Sequence, residues 1–296
     1  MSFELILDVG MEIAETPIWD ERINKLYYTD LFKGAIHRYD PKSKTEETWN
    51  AGSLIGSAVP TTDENVLFCA LESGMYLLDL KSGALELLCD PENGNPDNRY
   101  NDTRIDPVGR IFTSSVSKLY GTDQYQPDML GNFYMVDTDG SIQIIEEGIN
   151  QYNAIVWNSN ATKMFVVDTY HETLLVYDYD LEKGPVGSKK EAIAFGELGM
   201  PDGMSIDSDD NLYVCHWTKK ISVWDKDLQR KEVMSIPVEY ACCTGFGGED
   251  MKDLYLATAK YCYSEEQLKA NKGAGGIFRA RNAVRGTGDH FYQIKR

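Results

Sequence analysis

Asp20-Glu21-Arg22-Ile23-Asn24-Lys25-Leu26-Tyr27-Tyr28-Thr29-Asp30 is a turn running into a short β-rich stretch, and Gly34-Ala35-Ile36-His37-Arg38-Tyr39-Asp40-Pro41 supplies a second strand and another turn. Together they read as a β-hairpin. The same pattern returns at Asp63 to Ala70 with Gly74 to Asp79, and at Gly109 to Ser114 with Gly131 to Asp137. Three further copies are Lys163 to Asp168 with Leu174 to Asp178, Asn211 to Cys215 with Ile221 to Asp225, and Asp253 to Thr258 with Gly275 to Arg279. Counted from Leu26, Leu67, Ile111, Met164, Leu212 and Leu254, the spacing is roughly 40 to 55 residues, about the length of one four-stranded propeller blade. Six copies therefore predict an all-β, six-bladed β-propeller with four-stranded antiparallel blades.

Working outward, nothing divides the chain. There is no Gly/Ser linker or low-complexity tract, so residues 1–296 are expected to form a single propeller domain. A helical solenoid would need long segments of 3.6-residue period, and only Ser264 to Asn271 reads as helical. The stretch Phe3 to Val9 alternates and is expected to complete the last blade.

Composition narrows the function classes. With 42% hydrophobic and 11% aromatic residues in 296, the chain can bury a sizeable core. No run approaches the roughly 18 apolar residues of a membrane span. A formal charge of −18 argues against nucleic-acid partners, which require a basic face, and against anionic membranes. The acidic, alternating start Met1 to Asp8 lacks the basic head and apolar stretch of a secretory signal, which predicts a cytoplasmic protein, monomeric or weakly dimeric. The six cysteines (Cys69, Cys89, Cys215, Cys242, Cys243 and Cys262) form no C-x-x-C pair and read as buried free thiols. The adjacent Cys242 and Cys243 read as core.

Polar residues interrupt the repeat at corresponding places. Glu15 lies in Ala14-Glu15-Thr16-Pro17, Arg99 and Asn101 in Asn98-Arg99-Tyr100-Asn101-Asp102, Asn153 in Gln151-Tyr152-Asn153-Ala154, and Asp202 in Met200-Pro201-Asp202-Gly203-Met204. Each precedes its blade's hairpin by roughly ten to fifteen residues, where the channel-lining strand of a four-stranded blade belongs. Singly, each has an ordinary explanation, since Pro-Asp-Gly and Asn-Asp mark turns. Their equivalent placement lets them converge on the channel from distant positions. No G-x-S-x-G elbow or H-E-x-x-H motif competes with them. The four histidines show no ligand spacing, and His216 reads as a blade-strand residue.

These motifs, with Asp106-Pro107-Val108-Gly109-Arg110, Ile155-Val156-Trp157 and Thr244-Gly245-Phe246-Gly247-Gly248, resemble the gluconolactonase and regucalcin family, also called the senescence-marker-protein and luciferin-regenerating-enzyme-like group. The resemblance covers nearly the whole chain. It implies a six-bladed propeller in which Glu15, Asn153 and Asp202 are metal ligands and Arg99 and Asn101 contact the substrate. Two departures bear on the pocket more than on the metal site. Ala154 stands where the family usually has glycine, and Thr113-Ser114-Ser115-Val116 replaces the usual Gly-Thr-Met.

Carboxylates and an asparagine carbonyl are hard donors that suit Ca²⁺ first, then Mg²⁺ or Mn²⁺, with Zn²⁺ a lesser fit. A divalent ion at a lactone or ester carbonyl acts as a Lewis acid, and Asp202 is a candidate general base toward water. Arg99 offers a planar fork of donors and Asn101 both donates and accepts, which fits a polyhydroxylated small molecule. The expectation is a metal-dependent lactonase. A calcium-binding regulatory propeller without turnover and a phosphotriester hydrolase on the same site are the alternatives. The stretch Val116 to Gly131, with Tyr120, Asp123 and Tyr125, is expected to overhang the pocket.

Overall fold

Because aromatic and β-branched residues alternate between short Asp-, Asn- and Gly-rich turns, the chain folds into strands of four to eleven residues that pair with their neighbours in sequence. The computed structural model describes residues 1–282 and 284–294. Its strands form six four-stranded sheets in which adjacent strands are antiparallel. Five blades are simple meanders. The sixth takes its outermost strand, Glu4–Leu7, from the start of the chain, pairing Glu4 with Arg279 and Leu5 with Phe278. The blade count and the role of the first strand are as the repeat predicts.

The innermost strands are Ala14–Asp20, Ile55–Pro60, Asn98–Ile105, Tyr152–Trp157, Pro201–Ile206 and Ala241–Gly247. Each packs against the next, and the sixth packs against the first, so the ring closes. The approach is tight enough to exclude side chains at some points. A Cβ on Gly245 would lie 1.8 Å from the Pro17 carbonyl oxygen, joining the sixth blade to the first.

Burial runs outward from the axis. The strand Ile55–Pro60 is buried throughout, whereas the outermost Thr45–Asn50 is mostly exposed. The apolar core lies between blades: Val167, Leu174 and Phe195 of the fourth meet Met204, Ile206 and Val214 of the fifth. Phe112 and Phe133 of the third likewise meet Tyr152 and Trp157 of the fourth. Neither sheet face is covered within its own blade, so stacking supplies the hydrophobic stabilisation.

The helix over Glu265–Ala270 is the one the sequence predicts. Ser264 and Gln267 form a reciprocal capping box at its start. No helix among the described residues is long and apolar enough to cross a membrane. All six cysteines are free; Cys262 is exposed and Cys89 half-buried, so the expectation of buried thiols holds for the other four.

Candidate functional site

Every innermost strand breaks register near its start. The irregularities fall between Glu15 and Ile18, Ile55 and Ser57, Tyr100 and Thr103, Asn153 and Ile155, Pro201 and Met204, and Ala241 and Cys243. A bulge leaves residues unpaired with the neighbouring strand and re-aims their side chains. The residues left without a register partner are Thr16 and Pro17, Gly56, Asn101 and Asp102, Ala154, Asp202 and Gly203, and Cys242, with Glu15 and Asn153 immediately before theirs.

Thr16 and Ala154, which follow Glu15 and Asn153, adopt positive φ of 47° and 38°. Left-handed backbone costs an L-residue about 1 kcal/mol, so glycine at the position of Ala154 is conformationally natural. Ala154 is fully buried in the cluster between the fourth and fifth blades, and packing of its methyl offsets part of the strain.

Carboxylate oxygens of Glu15 and Asp202 and the Cys242 sulfur all lie within 4.8 Å of one another. Asp202 is 6% exposed, and its Oδ2 accepts the Trp217 indole N–H at 2.7 Å. The Glu15 carboxylate receives no hydrogen bond from the described residues; only its backbone carbonyl accepts one, from Thr29. Two carboxylates side by side, one buried and one half-buried, are electrostatically expensive when both are charged. Burial, reinforced by Asp202 and Asp102, holds the Glu15 carboxyl well above its ordinary range, against the pull of Arg104 and Arg99. Burial also pushes Asp202 up to about 7; the Trp217 hydrogen bond opposes the shift, Asp102 adds to it and Arg99 counters it. The Cys242 thiol is raised by burial and then by the same two carboxylates.

Arg99, Asn101 and Asn153 form a hydrogen-bonded chain beside this pair. The Arg99 guanidinium donates to Asn101 Oδ1 at 2.8 Å and to the Tyr100 carbonyl at 3.2 Å. Asn101 Nδ2 donates to Asn153 Oδ1 at 2.5 Å and to the Tyr152 carbonyl at 3.0 Å, and Asn153 Nδ2 donates to Thr169 Oγ1 at 2.8 Å. Burial lowers the Arg99 pKa to about 10 against the opposing charges of Glu15 and Asp202, leaving it a cation at neutral pH. The structure thus brings all five sequence-derived residues to one end of the channel.

Asp102 is ion-paired with Arg104 and accepts the Ser57 hydroxyl at 3.2 Å. The segment near the end of the chain crosses the far ends of the inner strands, with bridges from Asp207 to Gly286 and Thr61 to Tyr292. A cavity of about 330 Å³ lies there, lined by residues including Arg104, Trp157, Asp289 and His290 and separate from the carboxylates.

In the stretch Val116 to Gly131, Tyr120 and Tyr125 pack edge to face at 4.9 Å, and Tyr125 accepts a hydrogen bond from Asn150 Nδ2 at 2.7 Å. The Tyr120 hydroxyl is raised by burial, then by Tyr125 and by Asp202; Asp123 is exposed. His216 is a buried strand residue whose Nδ1–H donates to the Gly199 carbonyl at 3.0 Å and whose Nε2 accepts from Ser222 at 2.8 Å. Sequence reasoning missed Trp217 and Cys242. Cys242 occupies the bulge of the sixth blade as Asp202 does that of the fifth, so the repeat position was the available signal.

Residues 13–260 match the family described as SMP-30/Gluconolactonase/LRE-like region. A Bacillus subtilis protein provisionally named the sugar lactone lactonase YvrE is 30% identical over 284 residues, covering 95% of each chain. The pentonolactonase XacC of Haloferax volcanii is 25% identical, covering 97% of this chain and 96% of its own. The calcium-binding protein regucalcin of Agrobacterium tumefaciens superposes with a TM-score of 0.91 at 22% identity, covering 98% of this chain and 97% of the other, a likeness that shows the fold.

Proposed function

Because this chain belongs to the SMP-30/gluconolactonase/LRE-like family, we propose that it is a metal-dependent hydrolase of a small sugar-type lactone, with its site at Glu15, Asn153, Asp202, Arg99 and Asn101. The observation that carries the reading is the convergence of two carboxylates, the half-buried Glu15 and the buried Asp202, within 4.8 Å of each other beside the half-buried Arg99. The lactonase names of YvrE and XacC support the substrate class.

The residues fit a divalent cation. The Glu15 carboxylate lacks a hydrogen-bond donor among the described residues, and the burden that raises both carboxyls is what a cation would offset. Glu15, Asp202 and Asn153 Oδ1 would hold it. When bound, such an ion polarises a carbonyl and stabilises developing oxyanion charge, an effect worth several kcal/mol.

The chain's own groups supply the rest. Arg99 is anchored through one nitrogen to Asn101, which leaves the other face of its fork for hydroxyl or carbonyl oxygens of the substrate. Trp217 fixes Asp202 through Oδ2, and Oδ1 is left to take the proton of the attacking water. Asp102 does not compete for this role, because Arg104 and Ser57 already hold it. The pairing of a general base with a substrate-binding arginine favours turnover over a purely regulatory calcium-binding role. The cytoplasm and a monomeric or weakly dimeric state remain part of this proposal.

The test is a pH-drop hydrolysis screen of aldonolactones, aryl esters and organophosphates, using chelator-treated protein reloaded with Ca²⁺, Mg²⁺, Mn²⁺ or Zn²⁺. Lactone turnover that vanishes on chelation and returns with a divalent ion is expected. Turnover indifferent to chelation, or confined to organophosphates, overturns the proposal.

A further inference from the structure

Cys242 is set apart from the other buried thiols by having no structural task. Cys243 lies 3.8 Å from the Arg104 guanidinium, donates to the Thr244 carbonyl at 3.5 Å and packs where a Cβ on Gly203 would come within 2.5 Å of it. Cys215 is packed in the apolar cluster between the fifth and sixth blades, and Cys69 among the apolar residues between the first and second. Cys242 is 0% exposed, makes no hydrogen bond within the described residues, and occupies the bulge of the sixth blade. Its sulfur shares a 4.8 Å cluster with the Glu15 and Asp202 oxygens. An equally unpartnered carboxylate, that of Glu15, points to the same place.

We propose that Cys242 is a further metal donor, so that the site is a mixed oxygen and sulfur site preferring a thiophilic divalent ion such as Zn²⁺ over Ca²⁺. The inference rests on the metal-site reading above and deepens it by naming the class of ion. Oxygen donors alone favour Ca²⁺ or Mg²⁺, whereas a thiolate favours Zn²⁺ and its neighbours in the transition series. Binding forms one metal–sulfur bond and releases the thiol proton to solvent, with no change of oxidation state. The added negative charge also balances a divalent ion already facing two carboxylates and the opposing Arg99 cation.

The experiment uses the full chain, stripped with chelator and titrated separately with Co²⁺, Zn²⁺ and Ca²⁺. Wild-type protein should show a sulfur-to-cobalt charge-transfer band in the near ultraviolet, retained by Cys243→Ser and lost in Cys242→Ser. Competition titration should show Zn²⁺ affinity falling by roughly tenfold or more in Cys242→Ser while Ca²⁺ affinity changes little. X-ray absorption of the wild-type Zn²⁺ form should show a sulfur neighbour at about 2.3 Å. That measurement keeps the proposal falsifiable should the serine variant fold poorly. Binding of Ca²⁺ with no sulfur signature for Co²⁺ or Zn²⁺ overturns the role of Cys242 and leaves the metal site standing. Failure of every ion to bind overturns both.

Discussion

The carboxylate pair of Glu15 and Asp202 should show itself in the stability of the metal-free protein before any substrate is found. Asp202 sits near 7 in the folded chain against an ordinary value of 3.8. Below about pH 4 both folded and unfolded chains hold this proton, and above about pH 7 neither does. Between those limits the folded state keeps a proton that the unfolded state has lost, so stability falls as pH rises through the window. A displacement of about three pH units corresponds to about 4 kcal/mol, an upper bound because the pair titrates as a unit.

Asp202→Asn removes the titrating group and also relieves Glu15 of its neighbour's charge. The variant should therefore gain stability relative to wild type as pH rises from about 4 to about 7, by up to about 4 kcal/mol, and hold that advantage above. Urea unfolding in chelator, compared between the two proteins at each pH, isolates this difference from the many other carboxylates. A saturating divalent ion should shrink the advantage by stabilising the ionised pair of the wild type. Parallel pH dependences for the two proteins would refute the argument, since the pair would then carry no electrostatic burden.

The same substitution, assayed at metal concentrations shown to saturate it, should lower kcat by about 10² to 10⁴, the contribution of a positioned proton acceptor; near-normal kcat would assign that proton to another group. Arg99→Ala should raise KM or lower kcat/KM for hydroxylated lactones while calorimetric metal affinity changes much less, and equal losses in both would contradict its assignment to the substrate. Trp217→Phe deletes the 2.7 Å hydrogen bond to Asp202. Because that bond favours the ionised carboxylate, its loss should move the acid limb of the kcat/KM–pH profile upward by about one unit, or about 1.4 kcal/mol, and an unmoved limb would separate Trp217 from the base.

The fold was legible because a propeller writes itself into the chain six times, and period is the part of a sequence least affected by individual substitutions. Equivalent placement likewise singled out Glu15, Asn153 and Asp202 from the many acidic and amide residues of a chain with 47 Asp and Glu. What stayed hidden depends on backbone detail. A register shift of one or two residues leaves composition unchanged, so only the repeat position pointed to Cys242. Reading Cys242 by residue type gave a small hydrophobe; reading it by position gives a donor. Trp217 was hidden for a different reason, because it follows the strand Leu212–His216, and only the pairing of His216 with Pro201 carries it beside Asp202.

The repeated bulge also explains how one scaffold accommodates different chemistry at its axis. Each blade satisfies its backbone through its own ladder and buries its apolar faces against its neighbours, so the bulged position is relieved of any structural demand but fit. The side chains at or beside it differ from blade to blade: Glu15 just before the bulge in the first, Asn101 and Asp102 in the third, Asp202 in the fifth and Cys242 in the sixth. The second blade shows the limit of that freedom. At Gly56 a Cβ would lie 2.3 Å from the Asn101 carbonyl oxygen, so the bulge of this blade carries no side chain and lets the third press against it. Close approach there, together with the Ser57 hydroxyl that donates to Asp102 at 3.2 Å, helps fix the strand that carries Arg99 and Asn101.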